Sequence, residues 1–360
     1  MHASLYGRSA QKAATAALLL ATLASGCSNG GTGNDANASC TPASSPVLAL
    51  AAYSTPREAY GKIIPAFQAR WKADHNGQNV IFQESYGAST AQAQSVVNGL
   101  AADVVALSLA PDIDVIKKAG LITHDWTKDR NGGMVSASVV VFDVRANNPK
   151  AIRDYDGLTQ QGLAVLTPDP ASSGGARWNI VAAYGAASRG KVSGFSGDDT
   201  GAGQLLQGIF KNVTVLDKSA RDSIKNFESG NGDVAITYEN EVLTAQKAGL
   251  PDQMVIPPST VLIENPVAVV DRNAQKHCVK AVADGFVSYL HTDEAQALFK
   301  SVGFLRPADA TAAKAGDGKK FAAITDLFTV SDLGGWDRLN TTVFGSPDGI
   351  FTKAFAAAQK

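Results

Sequence analysis

The residues best placed to do chemistry lie in Thr167–Asn179, TPDPASSGGARWN. An apolar run, Leu163–Leu166, reads as a short buried strand ahead of it, and an Ala-rich segment from about Ala176 to Ala187 reads as a helix behind it. Two prolines force an extended turn. Ser172, Ser173, Gly174 and Gly175 then open the helix, a serine being a preferred N-cap and two glycines leaving the backbone N–H groups unshielded by any Cβ. A helix start built this way offers orphan donors and about half a positive charge. That chemistry is anion binding by neutral groups, although an ordinary capped turn has the same letters.

Nucleophilic and metal chemistry find little support. No GxSxG nucleophile elbow occurs, and the five histidines (His2, His75, His124, His277, His291) show no ligand spacing. His124 and His291 fall near element ends and read as surface residues. A serine hydrolase is therefore a weak alternative; no catalytic residue, metal or cofactor is expected. With Lys+Arg 32 against Asp+Glu 33 there is no basic surface for nucleic acid.

The elements that must position such a site alternate as strand and helix. Apolar strands are expected at Val47–Ala52, Asn79–Gln83, Ala102–Ser108, Val213–Leu216, Val234–Thr237 and Val267–Val270. Capping-box pairs Thr55/Glu58, Ser89/Gln92 and Ser219/Asp222 announce helices after three of them. The pattern predicts an α/β fold of doubly wound sheets, whose ligands sit outside the carboxyl ends of the strands. A long β-rich run, Ser136–Val144, reads as a crossing into a second lobe. The Gly-rich stretch 190–203, with Gly201-Ala202-Gly203, lacks a nucleotide fingerprint's third glycine and reads as a surface connection. The tail around Gly334-Gly335-Trp336 is expected to wrap back over the sheet.

The first residues read as processing signals. Arg8 and Lys12 form a basic region, Ala13–Leu23 is apolar, and Leu23-Ala24-Ser25-Gly26-Cys27 resembles a lipobox with Ala24 where leucine is usual. A plain secretory signal is the alternative. The expected organisation is a signal at 1–26, lipidation of Cys27, and a flexible Gly/Asn/Ser tether over 27–45. Outside the cytoplasm two leftover thiols tend to pair, so Cys40 and Cys278 are a candidate disulfide.

Four stretches together carry a family resemblance: SSGGARWN; YSTPRE (53–58); SYGAST with ADVVALSLA (85–90 and 102–110); and LDKSARDS with ITYENE (216–223 and 236–241). From about Val47 to Trp336 the chain resembles the sulfate-binding proteins of bacterial ABC importers, of the type II periplasmic-binding fold. The resemblance implies a two-lobed clamp, 46–135 with 256–345 against 136–255, followed by a helical tail at 346–360. It implies a monomer that captures sulfate and delivers it to membrane permease subunits with their ATPase, held by a lipid anchor at the outer face of the cell membrane. It carries over as anion-binding positions Ser54, Ser89, Ser173, Gly174, Gly175, Ala220 and Tyr238. The family has Asp at Ser54, Trp at Tyr238 and Asn at Asp169, and it suggests Arg57 and Arg177 as outer supports. Thiosulfate, molybdate and phosphate are rival ligands. A site of donors only is expected to favour sulfate over phosphate by at least about a hundredfold, because a P–O–H would face N–H groups.

Overall fold

The computed structural model describes residues 40–360 apart from Pro42. The signal, the lipidation position Cys27 and most of the tether lie outside the described residues. In chain order the elements are β1 (Val47–Tyr53), α1 (Arg57–Asp74), β2 (Ile81–Gly87), α2 (Ser89–Val97), β3 (Val104–Ala106), α3 (Ala110–Lys118) and β4 (Met134–Val144). There follow β5 (Val165–Pro168), α4 (Gly174–Ser188), α5 (Asp199–Lys211), β6 (Val213–Asp217), α6 (Ala220–Glu228), β7 (Val234–Tyr238), α7 (Glu239–Lys247), β8 (Gln253–Val255) and β9 (Ser259–Val269). The chain ends with α8 (Asp271–Lys276), α9 (Lys280–Leu290), α10 (Asp293–Ser301), α11 (Ala310–Ala315), β10 (Asp326–Phe328), α12 (Gly335–Thr342) and α13 (Ile350–Ala358).

The strands run β2-β1-β3-β9-β4-β7-β5-β6, with β8 on β4 and β10 on β9. Both ends of this path are parallel: β2, β1 and β3 at one, β7, β5 and β6 at the other. The middle is antiparallel, made by two eleven-residue strands. β4 pairs with β9 through Met134–Val139 and with β7 through Val140–Val144. β9 goes on to pair with β3 through Val267–Val269. This is the mixed α/β architecture the alternating pattern predicts, with helices covering the buried strands.

Two large apolar clusters form, one on each side of the crossing. One gathers Leu50, Ile63, Phe67, Val104, Phe286 and Phe299; the other gathers Phe142, Val165, Trp178, Leu205, Phe210 and Ile236. The stretch 256–345 divides between them. Its residues 267–305 serve the first, whereas Phe328, Val330, Leu333, Leu339 and Val343 join the second. The tail does return: Trp336 meets Trp178 edge to face at 5.0 Å, and Phe351 packs on Phe210 at the same distance.

Several expectations need correction. The stretch 190–203 is not all surface connection: Asp198 caps α5, accepting from the Gly201 N–H at 2.8 Å, and Gly201 and Gly203 lie within the helix. A Cβ on Gly201 would sit 2.0 Å from the Ser196 carbonyl, which is why glycine stands there. His291 is buried, only 7% exposed, rather than a surface residue. The candidate disulfide between Cys40 and Cys278 is present, and it fixes Cys40, within the stretch read as a flexible tether, to the turn between α8 and α9.

Candidate anion site at converging helix starts

The capping pattern explains how local sequence builds the site, and where it misleads. At α4, Ser173 is the N-cap and its Oγ accepts from the Ala176 N–H at 3.4 Å. At α6, Ser219 caps likewise, accepting from the Asp222 N–H at 3.2 Å and donating to its carboxylate at 2.7 Å. The other two boxes do not form. Pro56 is the N-cap of α1, and Glu58 turns outward to the Arg221 guanidinium at 2.6 Å. Ala88 caps α2, which makes Ser89 its first residue, and the Gln92 amide reaches back to the Ser85 and Ala52 carbonyls.

These starts converge on one small cavity, lined by Tyr53, Ser54, Thr55, Gly87, Ala88, Ser89, Ser108, Ser173, Gly175, Ala220 and Tyr238. Six of the seven expected positions are therefore brought together from sequence separations of up to 184 residues (54 to 238). Gly174 stands just behind. A Cβ there would lie 3.0 Å from the Ser108 side chain, so its small size lets α4 approach the loop after β3. A Cβ on Gly175 would lie 3.0 Å from that of Ala220 and 3.6 Å from the Tyr238 ring, filling the cavity itself.

The lining lies at the ends of β1, β2, β3 and β7 and at the starts of α1, α2, α4, α6 and α7. Each helix start contributes N–H groups without intrahelical partners and about half a positive charge. No lysine, arginine, aspartate or glutamate lines the cavity. The arrangement can hold a small anion by neutral donors, and its small volume excludes anything large.

Two hydroxyls have different duties. The Ser173 Oγ accepts from its helix and keeps its own proton free for the cavity. The Ser89 Oγ accepts from the Ser108 N–H at 2.9 Å and donates to the Asp112 carboxyl at 2.6 Å. Ser89 therefore offers the cavity its backbone N–H, while its side chain serves Asp112. Burial raises the Asp112 pKa, opposed by its hydrogen bonds from Ser89 and Thr90.

Tyr238 is 1% exposed and its hydroxyl meets the Ser108 hydroxyl at 2.7 Å. Burial holds its pKa far above the ordinary value, so the phenol keeps its proton. Beyond it, Glu239 and Arg306 form a wholly buried ion pair, 2.6 and 2.8 Å, that anchors the start of α7. Sequence reasoning missed Ser108, Asp112 and Arg306. Ser108 lies within the ADVVALSLA stretch and Asp112 just beyond it, in the first turn of α3, but no local signal tells which side chain faces inward.

Around the mouth a wider cleft is lined by Arg57, Glu58, Asp169, Ser172, Lys218, Arg221 and Lys225, among others. Arg57 lies over the Tyr86 ring, and Arg177 donates to the Asn340 side chain and lies over Phe344, so neither guanidinium lines the cavity. Asp169 is a turn residue, its carboxylate accepting from the Ala171 N–H at 2.8 Å. The chain closes across this mouth: the Ala91 N–H donates to the Ser172 carbonyl at 3.2 Å, and the Trp178 indole donates to the Ser108 carbonyl at 2.9 Å. Among the described residues no group of three or more His, Cys, Asp or Glu is placed to hold a metal ion.

Comparison with known proteins agrees with this geometry. The sequence pattern of the bacterial extracellular solute-binding protein family matches residues 48–305. A sulfate-binding protein of Synechococcus elongatus is 42% identical over 299 residues, 83% of each chain. The sulfate-binding protein of Salmonella typhimurium is 40% identical over 82% of this chain and 88% of its own. A thiosulfate-binding protein of Pseudomonas aeruginosa is 35% identical over 87% of this chain and 93% of its own. Among solved structures, the sulfate-binding protein SubI from Mycobacterium tuberculosis H37Rv shares 38% identity, covers 83% of this chain and 99% of its own, and superposes with a TM-score of 0.74. A periplasmic thiamin binding protein, 14% identical with a TM-score of 0.64, shares the fold alone.

A small cavity of neutral donors at the strand ends of an α/β sheet, in a chain with these relatives, defines an extracellular solute receptor. The chain belongs to the bacterial extracellular solute-binding proteins, and within them to the family of the sulfate-binding proteins just named.

Proposed function

We propose that this protein captures sulfate outside the cytoplasm and delivers it to the permease and ATPase of an ABC importer. The observation that carries the reading is the cavity where five helix starts and the Ser173 hydroxyl meet without a single ionised side chain. Sulfate keeps both charges at physiological pH, so its site need only donate. Helix starts of about half a charge each, with charge-assisted hydrogen bonds, replace its hydration. The donors are the backbone groups around Ser54, Ser89, Gly174, Gly175 and Ala220, with the hydroxyls of Ser173 and Tyr238.

The receptor works as a clamp. Residues 46–135 with the following 256–305 form one lobe and 136–255 the other, with β4 and β9 as the hinge strands between them. Ligand bridging Ser89 and Gly175 then selects the closed form. The protein acts as a monomer without catalytic activity, tethered by a lipid on Cys27 to the outer face of the membrane.

Isothermal calorimetry of the purified chain against sulfate, thiosulfate, molybdate and phosphate tests the reading. Sulfate should bind at one site per chain and exceed phosphate at pH 8 by about a hundredfold or more. Tighter thiosulfate or molybdate binding would reassign the ligand, and no oxyanion binding at all would remove the function.

A further inference from the structure

The hydroxyl pair at the cavity wall raises a question the expected donor set does not answer. A phenol can rotate its proton away and present a lone pair, which would repel a dianion; an indole N–H in that place has no such freedom. Something must fix the phenol's direction.

Ser108 is built to do so. Its backbone is held on both sides: the N–H donates to the Ser89 Oγ at 2.9 Å, and the carbonyl accepts from the Trp178 indole at 2.9 Å and the Asn265 amide at 3.4 Å. The residue is 1% exposed and packs against Gly174 at the start of α4. The Tyr238 hydroxyl, at 2.7 Å, is its side chain's hydrogen-bond partner. Both residues line the anion cavity.

We propose that Ser108 is a specificity-determining positioning residue, whose hydroxyl donates to the Tyr238 oxygen and so aims the phenol proton at the bound anion. This rests on the sulfate reading above. Two hydroxyls share two protons: one lies between the oxygens and the other faces the cavity. The phenol is much the better proton donor of the two, so the anion takes its proton and Ser108 supplies the inner one. Each bond polarises the next, which strengthens the outer contact. With Ser108 in place the phenol acts as a donor, as an indole would. Without it the phenol turns freely and can accept from a P–O–H, so discrimination against hydrogen phosphate relaxes.

The test is a double-mutant cycle by calorimetry at pH 8 with sulfate and inorganic phosphate, using wild type, Ser108→Ala, Tyr238→Phe and the pair. Ser108→Ala should lower sulfate affinity about three- to tenfold while leaving phosphate affinity unchanged or raised, the scale of one neutral hydrogen bond and its polarisation. In the Tyr238→Phe protein the same change should have no further effect on sulfate. If Ser108→Ala does not fold, Ser108→Cys, which offers only a weak donor, takes its place and should lose sulfate affinity in the same direction. Equal losses in both backgrounds would mean that Ser108 packs or touches the anion on its own, and would overturn the inference, as would unchanged sulfate affinity in Ser108→Ala. These results leave the sulfate reading standing, because wild type still binds; a wild type that binds no oxyanion overturns both.

Discussion

Arg221 at the start of α6 meets Glu58 in the first turn of α1 at 2.6 Å, and the same guanidinium reaches the Glu241 carboxylate at 2.7 Å. It also donates to the Thr55 carbonyl at 3.1 Å. One side chain thus ties together three of the helix starts that ring the cavity, while staying outside the lining. The two carboxylates differ in surroundings. Glu58 is 40% exposed at its side chain and Glu241 only 1%.

That difference gives unequal expected outcomes. Glu58→Gln should leave stability nearly unchanged, since an exposed pair contributes little, and should weaken anion affinity by no more than severalfold. Arg221→Met strands the buried Glu241 charge and should cost about 3–5 kcal/mol of stability. Adding Glu241→Leu should recover much of that loss. Thermal melts of the three variants check the ranking, and an equal effect of Glu58→Gln and Arg221→Met would contradict it.

Gly175→Leu should abolish anion binding with little change in the melting temperature. The new side chain would enter the cavity beside Ala220 and Tyr238, at the margin of the core to which Tyr53 and Tyr238 belong, so the interior of that core keeps its packing. Wild-type affinity in this variant would show that the loop is only a turn.

Ser89→Ala and Ser173→Ala should separate stability from affinity. The first removes the donor to Asp112 and the acceptor for the Ser108 N–H, costing about 1–3 kcal/mol of stability through buried groups left unpaired. The second removes a proton free to reach the anion, which should lower affinity by about 10- to 100-fold, the scale of a hydrogen bond to a charge, and removes the α4 cap at about 1 kcal/mol of stability. Paired denaturation and calorimetry read both quantities; the reverse assignment would mean the two hydroxyls have exchanged roles.

Stability should fall with rising pH because of Asp143. This carboxyl is fully buried on β4 and neither oxygen has a hydrogen-bond partner. Burial, reinforced by Asp252, pushes its pKa from the ordinary 3.8 up to about 8. A folded pKa above the unfolded one means the folded state holds the proton longer, so its contribution is full below about pH 4 and is lost as pH rises towards about 8. Asp143→Asn should flatten that limb of the profile. An unchanged slope between pH 5 and 8 would place the titration elsewhere.

Reduction should loosen the attachment of the chain's beginning. Cys40 and Cys278 stand 238 residues apart, and in the loop-entropy model a closure that long contributes about 5 kcal/mol, less any strain. Thiol titration of the unfolded, unreduced protein should find neither thiol free, and denaturation with reductant should show lower stability.

The sequence by itself determined the alternation of strands and helices, and with it the α/β class, because apolar runs of strand length recur along the chain and three of them are followed within a few residues by a capping pair. It also marked most of the residues that line the cavity, since Ser173-Gly174-Gly175 and Ser219-Ala220 form their helix starts within single turns, using bonds that span three residues. What it could not determine was the destination of side chains whose partners are distant. Glu58 reads as half of a capping box until Arg221, 163 residues away, draws its carboxylate outward. Ser89 reads as a helix cap until Asp112 and Ser108 claim its oxygen. Tyr238 reads as an indole's replacement until the Ser108 hydroxyl is found beside it, 130 residues off. Local bonds are set by neighbours in the chain. The direction of a polar side chain in a cavity is set by whichever charge or hydroxyl the sheet topology brings opposite it, and only the tertiary structure decides that.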